Sequence, residues 1–273
     1  MTDKFSDMPL YRVSRAAFAA ALFGVLAFVL SGCQSLESKD QKPLSPETKA
    51  LLKQRGAKPG GQMYVRIFKQ ESEMEIWMEK TSGTYAKIKT YKICNWSGDI
   101  GPKTAQGDRQ APEGFYVVTP RQMNPNSKYH LSFNMGYPNA YDKSHNYTGA
   151  HLMVHGGCLS KGCYAITDEA VQELYALARE SFVGGQRKFL VHAFPFHMTK
   201  ANMNFRKANK WYGFWQNLKE GHDLFLRTGK PPIAGTKNGR YVFFATPDQV
   251  PAEFKISAAS SNRTAPRLIT GWN

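Results

Sequence analysis

The stretch HLMVHGGCLSKGCYAITD, residues 151–168, decides how this sequence is interpreted. It places two histidines, two cysteines and three glycines between His151 and Cys163. Histidine and cysteine bind metals, and cysteine also forms disulfides or acts as a nucleophile beside a basic histidine. Glycine lets the backbone turn sharply or approach another group closely. The stretch therefore predicts a metal centre, a disulfide, or a nucleophile with its base.

The metal alternative uses His151, His155, Cys158 and Cys163 as four zinc ligands. Their spacing is compatible with zinc, but all four lie in one short segment. On a strand, His151 and His155 project from one face about 13 Å apart, which is too far for one small ion. Only a bend in the chain would make this zinc site possible, and we expect no metal here.

The disulfide alternative suits an oxidising compartment. Apart from Cys33, the chain contains Cys94, Cys158 and Cys163, and an odd number of cysteines leaves one thiol free. A bridge between Cys94 and Cys158 and the absence of any bridge both remain open.

The third alternative is a Cys163 nucleophile with His155 as its base. Gly162 precedes the cysteine and lets the backbone approach a substrate closely. A helix predicted to begin after Thr167 places its positive end near the sulfur, so we expect it to favour the thiolate. Gly156 and Gly157 follow the histidine, and they let the chain fold back towards the cysteine.

The N-terminus has the pattern of an export signal. The chain begins with a weakly basic segment that contains Lys4, Arg12 and Arg15. An apolar run follows at 16–30, which is short for a bilayer-spanning helix of about 20 residues. LSGC, residues 30–33, resembles the bacterial lipobox, which implies a signal peptide over 1–32 and a lipidated Cys33. An uncleaved anchor is the alternative.

The position after the cysteine bears on sorting. Gln34 stands where an aspartate would retain a lipoprotein in the inner membrane of an enteric-type host, so the outer membrane is favoured. We therefore expect a membrane-anchored lipoprotein that faces the periplasm.

Composition supports a folded catalytic body with a basic surface. The chain is 42% hydrophobic and carries a formal net charge of +15, of which residues 1–32 contribute a net +1 and the mature chain +14. Positive charge attracts anionic partners, and an exported lipoprotein meets cell-wall polymer or lipid headgroups rather than nucleic acid. A generic solvated basic surface explains the charge equally well.

Hydrophobic periodicity divides the mature chain into a tether, a strand-rich domain and an extension. We expect a polar tether at 33–61, with one short helix at 46–55 that Ser45 caps, a domain at 62–195, and a helical and strand extension at 196–273. Period-two runs predict strands at 63–69, 74–79, 84–93, 114–118, 128–136, 150–156, 187–194 and 240–245.

Two longer segments have helical periodicity. The first begins at Asp168 after the capping residue Thr167 and stops at Gly184. The second is one helix near 200–228, whose aromatic stripe favours core packing over a sugar-binding face. The expected fold class is therefore mainly β with flanking helices, that is, α+β.

HGGCLSKGC, residues 155–163, resembles the signature of YkuD-type L,D-transpeptidases, in which a histidine-glycine step precedes Ser-x-Gly-Cys. Here only seven residues separate His155 from Cys163, and Lys161 stands where the usual motif has histidine, as in the YafK-like subgroup. Further similarity to that subgroup covers about 62–205 and, more weakly, the tail around 229–244. It is carried by YVRIFKQESEMEIWM, YKICNWSGDIGPKTAQGDRQAPEGFYVV, MNPNSKYHLSFNMGYPNAYD and FPFHMTKANM.

This resemblance implies a YkuD-like catalytic domain with Cys163 as nucleophile and His155 as acid and base. It implies that Ser160 orients the loop, that Gly156 supports the motif, and that the amides of Gly162 and Cys163 hold the oxyanion. The substrate implied is a peptidoglycan stem peptide, cleaved at the amide after meso-diaminopimelate through a thioester. No cofactor is expected.

The fate of the thioester is not encoded in these residues. An amine gives transfer, whereas water gives hydrolysis, including release of a wall-attached protein or cleavage of a cross-link. A non-catalytic wall-binding lipoprotein and the zinc protein described above are the remaining alternatives.

Replacement of Cys33 by serine tests the lipoprotein interpretation. We expect Cys33→Ser to give an uncleaved or soluble protein that no longer fractionates with membranes, because serine cannot accept the thioether-linked lipid. Membrane fractionation and acyl labelling measure this, and a variant that is acylated and sorted like the wild type would contradict it.

Overall fold

The computed structural model describes residues 38–256 and 265–269, and these form three sheets with flanking helices. The predicted class, mainly β with flanking helices, is confirmed as α+β. The helices are α1 (Pro46–Gln54), α2 (Ala140–Ser144), α3 (Asp168–Val183), α4 (Lys200–Phe205), α5 (Tyr212–Thr228) and α6 (Ala252–Ile256). The strands are β1 (Met63–Phe68), β2 (Glu73–Glu79), β3 (Tyr85–Lys92), β4 (Asn95–Trp96), β5 (Gly114–Val118), β6 (Met123–Asn124), β7 (Ser132–Asn134), β8 (Met153–His155), β9 (Tyr164–Ala165), β10 (Phe189–Phe194), β11 (Ile233–Lys237), β12 (Arg240–Phe244) and β13 (Arg267–Leu268).

The largest sheet has the strand order β3-β2-β1-β10-β5 and is buried at its centre. β1 pairs in parallel with β10, and the other neighbours are antiparallel. Because side chains alternate along β1, Val65 and Ile67 face one hydrophobic cluster and Phe68 faces another. Every residue of β1 is buried, so helices and loops cover both faces of this sheet.

The second sheet carries the sequence motif and has the order β4-β9-β8-β7-β6. β8 and β9 pair in parallel, with Val154 opposite Tyr164 and His155 opposite Ala165. Only residues 156–163 connect these two strands, and parallel neighbours usually need a longer crossover. This short connection is the loop that joins the histidine to the cysteine of the motif.

Helix α3 fills the space between these two sheets. Thr167 caps it as predicted, because its side chain accepts the amide of Ala170, and the helix ends before Gly184. Val171, Leu174 and Leu177 are buried in the same cluster as the strands of both sheets. The helix thereby fixes the motif sheet against the largest sheet.

The segment predicted as a polar tether at 33–61 packs against the body from residue 39 onwards. Helix α1 begins after Ser45, whose side chain accepts the amide of Thr48, as expected. Leu44 and Leu52 are buried in the main cluster. These two apolar residues form no periodic pattern in the sequence. Their burial attaches helix α1 to the body, where the sequence predicted a tether.

The predicted signal peptide at 1–32 and the lipidation residue Cys33 lie outside the described residues. Of the helices in residues 38–256, none combines the length and hydropathy that a bilayer crossing requires.

Three predictions about elements are corrected. The single helix at 200–228 is two helices, because 206–210 contains no large apolar residue and the Asn209 side chain accepts the amide of Trp211. The strand at 128–136 shortens to β7, since His130 has a left-handed φ of 61°. The extension after 196 has an additional strand, β11, which pairs with β12. Its Ala234 packs into the hydrophobic cluster that contains Phe68.

A fully buried ion pair joins Lys69 to Glu113, with 3.0 Å between Nζ and Oε1. The Lys69 ammonium also donates to the carbonyls of Asp99, Gly101 and Ala111. Burial lowers the pKa of Lys69, and the charge of Glu113 opposes that effect. These bonds hold residues 97–113 against the end of β1.

Removing one partner of this pair should destabilise the protein strongly. We expect Lys69→Met to lower the free energy of unfolding by about 3–5 kcal/mol, because it leaves the Glu113 carboxylate buried and unpaired. Urea denaturation followed by circular dichroism measures this loss.

The double variant Lys69→Met/Glu113→Gln should recover part of the stability, since it removes the uncompensated charge. The matched control Lys237→Met breaks the exposed pair with Glu253 and should cost less than about 1 kcal/mol. Equal losses from the buried and the exposed lysine would contradict the role given to Lys69.

Candidate active site

The sulfur of Cys163 lies at the edge of β8. Its Sγ accepts the amide of Met153 at 3.4 Å and lies 3.8 Å from the carbonyl oxygen of His151. Cys163 is partly exposed, and it is the free cysteine of the described residues. The thiol is therefore reachable from outside while one backbone amide fixes its position.

The imidazole of His155 ends the same strand and is 4% exposed. Its Nδ1 lies 2.6 Å from the carbonyl oxygen of Gly156, so Nδ1 carries the hydrogen and donates it. Nε2 then keeps its lone pair and is the atom that can accept a proton. This is the tautomer that a general base needs.

Strand β8 relates the positions of His155 and Cys163. Met153, whose amide binds the sulfur, precedes His155 by two residues, which corresponds to about 7 Å of extended strand. The structure therefore places both predicted catalytic residues beside β8, His155 as its last residue and Cys163 bound to the amide of its first.

Ser160 holds the loop in front of Cys163. Its hydroxyl donates to the carbonyl of Cys163 at 2.7 Å and accepts the amide of Cys163 at 2.9 Å. Gly162 has a φ of +104°, which favours glycine. The serine and the glycine together shape the turn into β9.

The predicted oxyanion donors are not free in this conformation. The amide of Gly162 donates to the Ser97 hydroxyl at 2.5 Å, and the amide of Cys163 donates to the Ser160 hydroxyl. Each backbone amide has a single hydrogen, so both donors are engaged. The expectation that these two amides hold the oxyanion stays a prediction, and it requires the two hydroxyls to move away.

Gly156 has a steric reason to be glycine. A Cβ at this position would lie 2.4 Å from a carboxylate oxygen of Asp168, and 3.0 Å from both the Tyr129 carbonyl oxygen and Val171 Cγ1. The residue after the catalytic histidine therefore lets the start of α3 approach the motif closely.

A disulfide between Cys94 and Cys158 anchors the loop 156–163 to the segment before β4. It settles which of the open bridge alternatives occurs. The four-ligand zinc set cannot form, because the Cys158 sulfur is bonded to Cys94 and His151 lies outside β8 with a left-handed φ of 58°.

Burial determines the protonation of the pair. It raises the pKa of the Cys163 thiol, although the Met153 amide and the charge of Lys103 act in the opposite direction. It lowers the pKa of His155, which the Gly156 carbonyl partly opposes. These shifts favour a neutral thiol and a neutral imidazole in the resting protein, and the expectation that the α3 dipole favours a thiolate stays a prediction.

Sequence reasoning missed three residues that shape this site. Ser97 binds the Gly162 amide and donates to the carbonyl of Arg109, Tyr129 stacks on the imidazole, and Lys103 lies close enough to influence the thiol. No spacing or periodicity marks them, because they come from segments far from the motif in sequence.

Known proteins resemble this chain across the residues that form the candidate site. The sequence model of the L,D-transpeptidase catalytic domain, YkuD, matches residues 62–184. The Escherichia coli (strain K12) protein named "Putative L,D-transpeptidase YafK" is 41% identical over 223 residues, covering 80% of this chain and 88% of that protein. The protein of the same name from Escherichia coli O157:H7 shows the same identity and coverage.

Two solved structures show remote similarity. The helical cell shape determining protein Pgp2 from Campylobacter jejuni is 21% identical with a TM-score of 0.40, over 65% of this chain and 67% of that one. Bd1075 of Bdellovibrio bacteriovorus is 20% identical with a TM-score of 0.36, over 61% and 65% of the two chains. Both are too remote to inform on activity.

The raised pKa of Cys163 predicts slow alkylation at neutral pH. Because the thiolate is the reactive form, we expect the rate with iodoacetamide to rise with pH, with a midpoint above that of a free cysteine at about 8.5. Mass spectrometry of protein labelled from about pH 6 to pH 10 measures this. In the control variant Cys163→Ala, we expect no label on the cysteines that the structure describes. A rate independent of pH in the neutral range would indicate a preformed thiolate and contradict the assignment.

Proposed function

Since the chain belongs to the L,D-transpeptidase (YkuD) family, whose substrate is peptidoglycan, we propose that it cleaves the amide after meso-diaminopimelate in stem peptides through a thioester on Cys163. The observation that carries the proposal is the arrangement of the two side chains. The sulfur is fixed by the Met153 amide, and His155 on the same strand presents an unprotonated Nε2.

Acylation begins with proton transfer from the Cys163 thiol to Nε2 of His155, as the sulfur attacks the carbonyl carbon. Because the thiol pKa is raised and the imidazole pKa is lowered, transfer accompanies attack rather than preceding it. The carbon–nitrogen bond then breaks, and the imidazolium gives its proton to the leaving amine. The product is the thioester and a neutral His155.

Deacylation uses the same base. His155 takes a proton from an incoming amine or water, the new bond forms at the carbonyl, and sulfur leaves as the thiol after receiving the proton. An amine acceptor makes the protein a transpeptidase, and water makes it an amidase that cleaves cross-links or releases a wall-attached protein. The transpeptidase is our first proposal because the family is named for it.

We further propose that the protein works in the cell envelope, anchored in a membrane through a lipid on Cys33. The bond between Cys94 and Cys158 supports this placement, since disulfides persist outside the reducing cytoplasm. The outer membrane remains the favoured location, with peptidoglycan as the partner.

Three substitutions test the mechanism. Cys163→Ser should abolish turnover of diaminopimelate-containing muropeptides, because a hydroxyl has a far higher pKa than a thiol. His155→Ala should reduce turnover by about 10²–10⁴-fold, a typical contribution of a general base. Cys158→Ala should be far milder, since its sulfur serves the loop and not the chemistry.

Incubation with muropeptides, with and without an acceptor amine, followed by mass analysis of the products separates transfer from hydrolysis. Retained activity in Cys163→Ser would reject the nucleophile. Equal losses in Cys158→Ala and Cys163→Ser would point away from the roles assigned to the two cysteines, and activity that depends on added metal would contradict the proposed mechanism.

A further inference from the structure

The ring of Tyr129 lies on the face of the catalytic imidazole. The ring centroids of Tyr129 and His155 are 4.7 Å apart and the planes are inclined by 29°, which is a stacked arrangement. The tyrosine comes from the irregular segment before β7, 26 residues before the histidine in sequence. It is thus a contact made by the fold, independent of the motif.

The tyrosine backbone fixes where the ring stands. Its carbonyl accepts the amide of Gly156 at 3.1 Å, and its own amide donates to the Ser127 hydroxyl at 3.1 Å. A Cβ on Gly157 would lie only 3.0 Å from the tyrosine ring. The glycines of the motif therefore leave the space in which the ring reaches the imidazole.

Tyr129 is not an ordinary core residue. Its side chain is 46% exposed, whereas the other face of the ring covers a histidine that is 4% exposed. Its phenolic oxygen has no hydrogen-bond partner among residues 38–256 and 265–269. The aromatic ring, and not the hydroxyl, makes the contact with His155.

We propose that Tyr129 is a positioning residue for the general base, which shields one face of His155 from water and holds the imidazole with Nδ1 on the Gly156 carbonyl. This inference rests on the proposed function. The stacked ring restrains rotation of the imidazole, so the bond from Nδ1 to the Gly156 carbonyl is kept and Nε2 remains the free nitrogen.

The surroundings of His155 agree with a role in solvent exclusion. Burial lowers its pKa and the Gly156 carbonyl is the opposing group. The ionisable groups of the segments that flank β8 include the Cys163 thiol, just before β9, and the Asp168 carboxylate, which lies beside Gly156 at the start of α3. Neither of them causes the lowered pKa of His155. Removal of the Tyr129 ring, which keeps water away from the imidazole, should therefore raise that pKa.

The test compares Tyr129→Ala with Tyr129→Phe. We expect Tyr129→Ala to raise the imidazole pKa of His155 towards its ordinary value of about 6.5, because water reaches the ring. Tyr129→Phe should leave it unchanged, since phenylalanine keeps the stacking surface. NMR titration of the His155 ring protons measures the pKa directly, with His155→Ala used to assign the signal among the seven histidines.

Turnover of muropeptides should follow the same pattern. A lowered pKa keeps His155 neutral, and active as a base, into mildly acidic solution, so Tyr129→Ala should move the acidic limb of the pH profile to higher pH. At neutral pH we expect a loss of about 3- to 10-fold, the scale of one aromatic contact. Tyr129→Phe should restore both the rate and the limb.

Phe205→Ala is the matched control, because Phe205 is 83% exposed and belongs to α4. It should change neither the pKa nor the pH profile. A His155 pKa that stays constant in folded Tyr129→Ala, or a loss of activity that is equal at every pH and is not restored by phenylalanine, would overturn the proposal.

The two hypotheses fail separately. If the NMR titration shifts as expected but the wild type turns over no muropeptide, the proposed function is rejected and the shielding of His155 is supported. If the wild type is active and the titration does not shift, the function stands and the role of Tyr129 is rejected.

Discussion

The buried ion pair between Lys69 and Glu113 is the constraint on which the rest of the site depends. The Lys69 ammonium pairs with the Glu113 carboxylate and donates hydrogen bonds to three carbonyl groups. Glu113 also accepts the amide of Gly101 and the indole N–H of Trp215. Since an unpaired charge in the interior costs several kcal/mol, residues 97–113 have one strongly preferred conformation. A single charged contact thereby joins the central strand, a long irregular loop and helix α5.

That loop reaches the nucleophile through Ser97. Its hydroxyl accepts the amide of Gly162, so one side of the motif loop is attached to residues 97–113. The disulfide from Cys94 to Cys158 attaches the other side. The seven residues between the histidine and the cysteine of the motif are therefore attached at Cys158 and at Gly162 to a part of the chain about 65 residues earlier, which explains how so short a connection between parallel strands keeps a defined shape.

The features that the sequence predicted correctly are those that neighbouring residues in the chain determine. The cap at Thr167 and the histidine and cysteine of the motif follow from short spacings. The turn at Asn238–Gly239, with both residues at positive φ, was an available signal for the β11–β12 hairpin that a single-strand interpretation overlooked. Tyr129 and Ser97 could not be predicted, because stacking and hydrogen bonds between distant segments leave no periodicity. The same holds for the engaged amide of Gly162, whereas the amide of Cys163 is engaged locally by Ser160.

The three thiols near the site also make maturation a kinetic problem. In the unfolded chain Cys158 is 5 residues from Cys163 but 64 residues from Cys94, so closing the short loop costs about 2 kcal/mol less entropy. By loop-closure entropy alone the favoured first bridge is therefore Cys158–Cys163, which would consume the proposed nucleophile. Where it forms first, active protein accumulates only as fast as thiol–disulfide exchange converts that bridge into the native one. The yield of enzyme depends on the isomerising capacity of the compartment in which it folds, independently of how stable the finished fold is.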